Sequence, residues 1–208
     1  MRTRVKVCGI TREADVAAAV AAGVDAVGLV FYPNSSRCLE PAAAAQLVSR
    51  LPPFVTPVGL FLDADADRVR EVLRRVRIDV LQFHGLEPAA YCRDFGRPYM
   101  KAIGAGAGED VRMLAEAYPD ACALLLDGHA HGQAGGTGRS FDWARVPRDL
   151  AHPVVLAGGL KPDNVAEAVR VARPYAVDVS SGVEAAPGIK DAALIEAFIN
   201  EVRRGDIE

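Results

Sequence analysis

Short aliphatic runs recur along the whole chain, each followed by an Ala-rich stretch with helical spacing, and no other feature of these 208 residues constrains the fold as strongly. The runs are Arg4–Cys8, Ala26–Phe31, Thr56–Phe61, Asp79–Phe83, Tyr99–Ile103, Ala123–Asp127, Val154–Ala157 and Ala176–Ser180. Their starts lie roughly 20–30 residues apart, enough for a strand, a loop and a three-turn helix. Near-continuous apolar strands point to a parallel sheet buried on both faces. Between them, Thr11 is placed to cap a first helix whose core stripe is Val16, Ala17 and Val20. Pro41 and Pro162 stand where a first helical turn tolerates a missing N–H. Leu194, Ile195, Phe198 and Val202 mark a last helix near residues 191–202. An open doubly wound sheet usually has fewer units and leaves two edges exposed. Closure removes both, so the sequence predicts an α/β protein, a (β/α)8 TIM barrel at the small end of its size range. No linker or charge run marks a second domain, and one domain is expected over residues 1–208.

Composition narrows the partners. The net charge of -3 supplies no basic field for a phosphate backbone, so no nucleic acid is expected. A small anionic metabolite stays possible, because a local site can be positive on an acidic protein. The first residues, MRTRVKVCGI, hold no apolar run long enough for a signal peptide, and no later segment reads as membrane-spanning. A cytoplasmic protein is expected. Cys8, Cys38, Cys92 and Cys122 are scattered without a C-x-x-C pair, which predicts free thiols and no metal site.

In such a barrel, polar residues at the carboxyl ends of strands read as binding or catalytic. Strand one ends Cys8-Gly9, strand four Gln82-Phe83-His84-Gly85, and strand six Asp127-Gly128. Strand seven ends Ala157-Gly158-Gly159, and strand eight Asp178-Val179-Ser180-Ser181-Gly182. Packing alone does not require that regularity. Gly158 and Gly159 let backbone amides approach a ligand closely, and the helix that follows adds its positive N-terminal end. Ser180, Ser181 and Gly182 add hydroxyls and further amides. The loops after strands seven and eight therefore read as a phosphate site. Alternation also puts Asp178 on the same side as Ser180, and Lys6 on the same side as Cys8. Strands one and eight become neighbours on closure, so Lys6 and Asp178 are expected to pair inside the barrel.

These motifs bring a family into view. Lys6-Val7-Cys8-Gly9-Ile10-Thr11, Gln82-Phe83-His84-Gly85, Leu126-Asp127, Gly135-Gly136-Thr137-Gly138 with Phe141-Asp142-Trp143, Ala157-Gly158-Gly159-Leu160, and Asp178 through Glu184 follow in order. The chain resembles the phosphoribosylanthranilate isomerases of tryptophan biosynthesis from end to end. The resemblance implies an Amadori rearrangement of N-(5-phosphoribosyl)anthranilate to a ribulose-type ketone, without a cofactor. It implies Asp127 as the acid that opens the furanose ring and Cys8 as the base that takes a proton from the neighbouring sugar carbon. It further implies Arg37 as the partner of the anthranilate carboxylate, a task that suits a planar guanidinium. Here the chain departs from a Lys-Ser-Pro-Arg-like family pattern: Asn34 and Ser36 replace a charge and a ring that stiffens the loop.

Both proton-transfer groups need altered surroundings. An ordinary aspartic acid, with a pKa near 3.9, is almost fully ionised at pH 7, so the acid calls for a partly desolvated setting. A free thiol near 8.5 is only a few per cent thiolate, and a cation such as Lys6, or a helix N-terminus, is expected to lower it. His129–Arg139, which holds Gly136 and Thr137, is too Gly-rich for a packed element and reads as a cover over the substrate. Its His129 and His131 read as solvated rather than as metal ligands. His84 reads as a brace for the strand ends. A monomer binding a small phosphorylated substrate is the default, and contact with other enzymes of the same pathway stays open.

Three alternatives stand beside this reading. One is a related phosphosugar aldose-ketose isomerase, such as the histidine-pathway enzyme, which carries an aspartate where this chain has Cys8. Another is covalent thiol catalysis by Cys8 with His84 as base, for which no oxyanion donors are recognisable. The third is a phosphate-ligand-binding barrel without activity, which would require neither Cys8 nor Asp127.

Overall fold

The structure, a computed structural model, describes residues 2–104, 110–128 and 142–207. Eight parallel strands close into a barrel in sequence order: β1 (Arg4–Cys8), β2 (Ala26–Val30), β3 (Thr56–Phe61), β4 (Val80–Phe83), β5 (Tyr99–Gly104), β6 (Ala123–Asp127), β7 (Val154–Leu156) and β8 (Ala176–Val179). The helices are α1 (Glu13–Ala22), α2 (Pro41–Val48), α3 (Ala66–Arg75), α4 (Ala89–Cys92), α5 (Val111–Glu116), α6 (Val165–Ala172) and α7 (Ala192–Ile207). Among the described residues a single 3-10 turn, Trp143–Arg145, stands between β6 and β7. Beyond the barrel, β9 (Glu184–Ala186) and β10 (Ile189–Lys190) form an antiparallel hairpin between β8 and α7.

The apolar residues divide into two layers because strand side chains alternate. The larger layer lies between strands and helices, where Val7, Phe31, Phe61, Leu81, Leu124 and Phe198 are buried. The smaller one fills the barrel: Val58, Met100, Ala102, Ala123, Leu125, Val155, Ala157 and Ala176, with Ala26 and Val80 against it. Closure rests on β1 pairing β8, with Lys6 opposite Asp178 and Val7 opposite Val179.

Three helix expectations are corrected: the Thr11 cap, the core stripe of α1 and the place of Pro162. Thr11 does not cap α1: its hydroxyl donates instead to the Gly188 carbonyl of the distant hairpin, at 2.5 Å. Arg12 takes the N-cap position without a side-chain cap, and Glu13 and Asp15 place negative charge in the first turn instead. The buried face of α1 is Asp15, Val16 and Ala19, while Ala17 is exposed and Val20 half-buried. Asp15 tolerates burial because Arg12 grips it with two N–H groups, at 3.0 and 2.5 Å. Pro41 does open α2, as expected. Pro162 lies in the turn ahead of α6, whose first residue is Val165.

Candidate active site

The interior residues run up into the site by the same alternation. Two positions beyond Leu125 of β6 stands Asp127. Two beyond Val80 and Gln82 of β4 stands His84. Ala157 leads into Gly158, Ala176 into Asp178 and Ser180, and Lys6 into Cys8. One cavity of about 280 Å³ opens at this end of the barrel. Its walls include Cys8, Arg37, His84, Asp127, Gly158, Gly159, Asp178, Ser180, Ser181 and Gly182. Every described residue expected to act on or hold the substrate therefore meets in one space, with Lys6 beneath it. Gly136 and Thr137 lie outside the described residues.

Cys8 sits on a buried ion pair. Lys6 Nζ donates to Asp178 Oδ1 at 2.8 Å, as strand parity predicts, and both side chains are buried. Burial opposes the Lys6 ammonium, but the attraction of Asp178 and Cys8 outweighs it and holds Lys6 above its ordinary value. Asp178 is pushed up by burial against the downward pull of Lys6. For Cys8 the expected direction reverses. Burial pushes the thiol up, and the opposing pull of Lys6 and Lys190 does not overcome it, so the unliganded protein holds Cys8 as a neutral thiol at pH 7. The side chain has room because its β2 neighbour is Gly28: a Cβ there would lie 2.7 Å from Cys8 Sγ and 3.1 Å from Lys6 Nζ.

Asp127 faces His84, whose Nε2 is 3.9 Å from Asp127 Oδ2. The Gln82 side-chain amide meets His84 Nδ1 at 3.3 Å, so the ring is held from the side away from the carboxylate. His84 thus stands opposite Asp127 in the cavity wall. The end of β4 that carries it is itself fastened. Lys101 Nζ, fully buried, donates to the Gly85 carbonyl at 2.5 Å and to Glu87 Oε2 at 3.0 Å. Glu87 Oε1 in turn accepts from the Asp63 amide at 2.7 Å.

The end of the cavity expected from the sequence to take phosphate is built from two turns. Gly158 and Gly159 both adopt positive φ, 81° and 65°, a conformation that side-chain-bearing residues rarely take. The Asn164 amide donates to the Gly159 carbonyl at 2.9 Å and holds that turn. The helix that follows this turn, α6, begins at Val165. The 3-10 turn Ser181–Val183 does begin at the cavity wall.

Arg37 reaches the cavity from the β2–α2 loop but is already paired. Its Nε and Nη2 donate to Glu184 Oε1 and Oε2 at 2.7 and 2.6 Å. Glu184 also accepts from Lys190 Nζ at 2.7 Å, and Lys190 donates further to the Ser180 carbonyl at 3.1 Å and its hydroxyl at 3.4 Å. Burial pushes Glu184 up, yet the hydrogen bonds from Arg37 and Lys190 prevail and hold it below the ordinary carboxylate value. Burial lowers Lys190, and Glu184 opposes that only in part. Sequence reasoning missed this pair. The available signal was the Pro187-Gly188 turn, which announces a hairpin with Glu184 and Lys190 on its two arms.

Similarity to known proteins is extensive. A family model for N-(5'phosphoribosyl)anthranilate (PRA) isomerase matches residues 5–201. The N-(5'-phosphoribosyl)anthranilate isomerase of Hahella chejuensis is 55% identical over 203 residues, 98% of this chain and 95% of the relative. That of Acidithiobacillus ferrooxidans is 55% identical over 200 residues, 96% of this chain and 97% of its own. Among solved structures, the Thermotoga maritima phosphoribosyl anthranilate isomerase superposes with a TM-score of 0.89 at 40% identity, covering 97% of this chain and 98% of that one. Another phosphoribosyl anthranilate isomerase, in complex with reduced 1-(o-carboxyphenylamino)-1-deoxyribulose 5-phosphate, gives 0.86 at 40% identity, with the same coverage.

Proposed function

The chain belongs to the N-(5'-phosphoribosyl)anthranilate isomerase family, and from that premise we propose that Asp127 and Cys8 carry its reaction as acid and base. Asp127 protonates the furanose ring oxygen and becomes a carboxylate as the ring opens to a protonated Schiff base. Cys8, acting from its thiolate form, removes the proton from the adjacent sugar carbon, and the resulting enol-amine relaxes to the ketone. Burial disfavours that thiolate in the empty site. The Schiff-base cation that forms on ring opening adds to Lys6 in favouring it, so Cys8 releases its thiol proton to solvent more readily and stands in its reactive form as it is needed. His84, whose Nε2 is 3.9 Å from Asp127 Oδ2, steadies the carboxylate left by the first step when that nitrogen carries a proton.

The substrate is anionic at both ends, and the cavity offers an anchor for each. The Gly158–Gly159 turn and Ser180–Gly182 take the phosphate, and Arg37 takes the anthranilate carboxylate. The observation that carries this reading is the single cavity whose walls hold Cys8, Asp127 and both anchors. It also disfavours a binding barrel without activity, in which a Cys8 seated over Gly28 and an Asp127 facing His84 have no task. The four cysteines are free thiols, which fits a reducing compartment, and we place the enzyme in the cytoplasm.

The test is a fluorescence assay following loss of phosphoribosylanthranilate. Cys8→Ala and Asp127→Asn should each lower kcat by about a hundredfold or more while the reduced product analogue still binds. Turnover close to that of the unmodified enzyme in either variant removes that residue from its role.

A further inference from the structure

Glu184 occupies two of the five N–H donors of Arg37, on the edge formed by Nε and Nη2. The other three, on the end of the fork, meet no acceptor among the described residues, and Arg37 lines the cavity. The ion pair therefore aims the guanidinium without using it up. It also has a cost in charge: Arg37 with Glu184 alone is neutral and would draw an anion weakly. Lys190 changes that balance. Its ammonium, wholly buried, lies 2.7 Å from Glu184 Oε1, so the three groups together carry one positive charge. The same ammonium donates to the Ser180 carbonyl and lies within reach of its hydroxyl, at the turn that faces the phosphate. One side chain is thus bonded to both ends of the site.

We propose that Lys190 is the positioning residue that makes this cavity select ligands anionic at both ends. Through Glu184 it leaves the Arg37 end net positive and aimed, and through Ser180 it fixes the phosphate turn at a set distance from that end. The inference rests on the assignment of Arg37 to the carboxylate and of Ser180 to the phosphate. Lys190 does not itself line the cavity, and it acts through Glu184, Arg37 and Ser180.

The experiment compares two ligands: reduced 1-(o-carboxyphenylamino)-1-deoxyribulose 5-phosphate, and the analogue made from aniline, which lacks the ring carboxylate. Their Kd values are measured on the unmodified enzyme, Arg37→Ala, Lys190→Gln and Lys190→Met. Glutamine keeps a donor for Ser180 but loses the charge, and methionine loses both. Lys190→Gln should weaken the carboxylated ligand by about tenfold and leave the aniline analogue within about threefold. Lys190→Met should weaken both ligands by about tenfold. With the assay in hand, KM should rise in Lys190→Gln while kcat changes by less than about threefold.

If Lys190→Gln keeps the full preference for the carboxylated ligand, the proposal is overturned, whether or not Lys190→Met folds. Arg37→Ala separates the two layers of argument. Loss of preference in Arg37→Ala but not in Lys190→Gln sinks only the role of Lys190. Preference retained in Arg37→Ala sinks the carboxylate assignment beneath it.

Discussion

Lys6 Nζ and Asp178 Oδ1 meet at 2.8 Å across the seam where the last barrel strand joins the first, directly beneath Cys8. A buried pair of this kind is bound to its partner more than it is a source of net stability. Removing one member leaves the other without compensation. Lys6→Met should therefore destabilise the protein by about 3–5 kcal/mol, and Lys6→Met with Asp178→Leu by distinctly less. Urea denaturation of both variants gives the comparison. Equal losses in the single and double variants would mean that the pair carries no such coupling.

The Cys8 thiol is pushed up by burial even though Lys6 and Lys190 pull it down. Because the thiolate is the form that alkylates, the rate of modification reads its titration directly. In the unliganded protein, alkylation of the Cys8 peptide by iodoacetamide should accelerate with rising pH and reach its midpoint above the ordinary thiol value of about 8.5. Lys6→Met removes a lowering influence and should move that midpoint higher still. A midpoint at or below the ordinary value would show that the cations win over burial.

Gly28 gives the thiol its place. An alanine Cβ there would stand 2.7 Å from Cys8 Sγ and 3.0 Å from Cys8 Cα, so the sulfur must shift. Gly28→Ala should cost about 1–3 kcal/mol of stability through overpacking, although alanine suits a strand better than glycine. It should also lower kcat by about tenfold with little change in KM, since neither anchor is touched. Steady-state kinetics beside a thermal melt decides it, and an unchanged kcat would contradict the placement of the sulfur.

What the sequence made legible follows the range of the forces involved. Strand ends are set by alternation and by polar residues that close it, so Cys8, Asp127 and Ser180 announce themselves locally. The Lys6–Asp178 pair needs only parity and the assumption of closure, and it too is legible. Thr11 misleads because a capping residue competes for one hydroxyl with every acceptor in the molecule, and Gly188, far along the chain, takes it. Lys190 is only half legible: the Pro187-Gly188 turn sets it opposite Glu184, but nothing near it in sequence places that hairpin against Arg37 and Ser180. The direction of the Cys8 shift depends on how completely the barrel desolvates the sulfur, which residue order does not record.

Glu184 and Lys190 ride on a hairpin that contributes no strand to the closed barrel. The scaffold that seats Cys8 and Asp127 can therefore stay fixed while a segment of a few residues is exchanged. The support behind Arg37 is written on a piece of chain separate from the barrel, and a lineage, or an engineer, can revise it without redrafting the strands that carry Cys8 and Asp127.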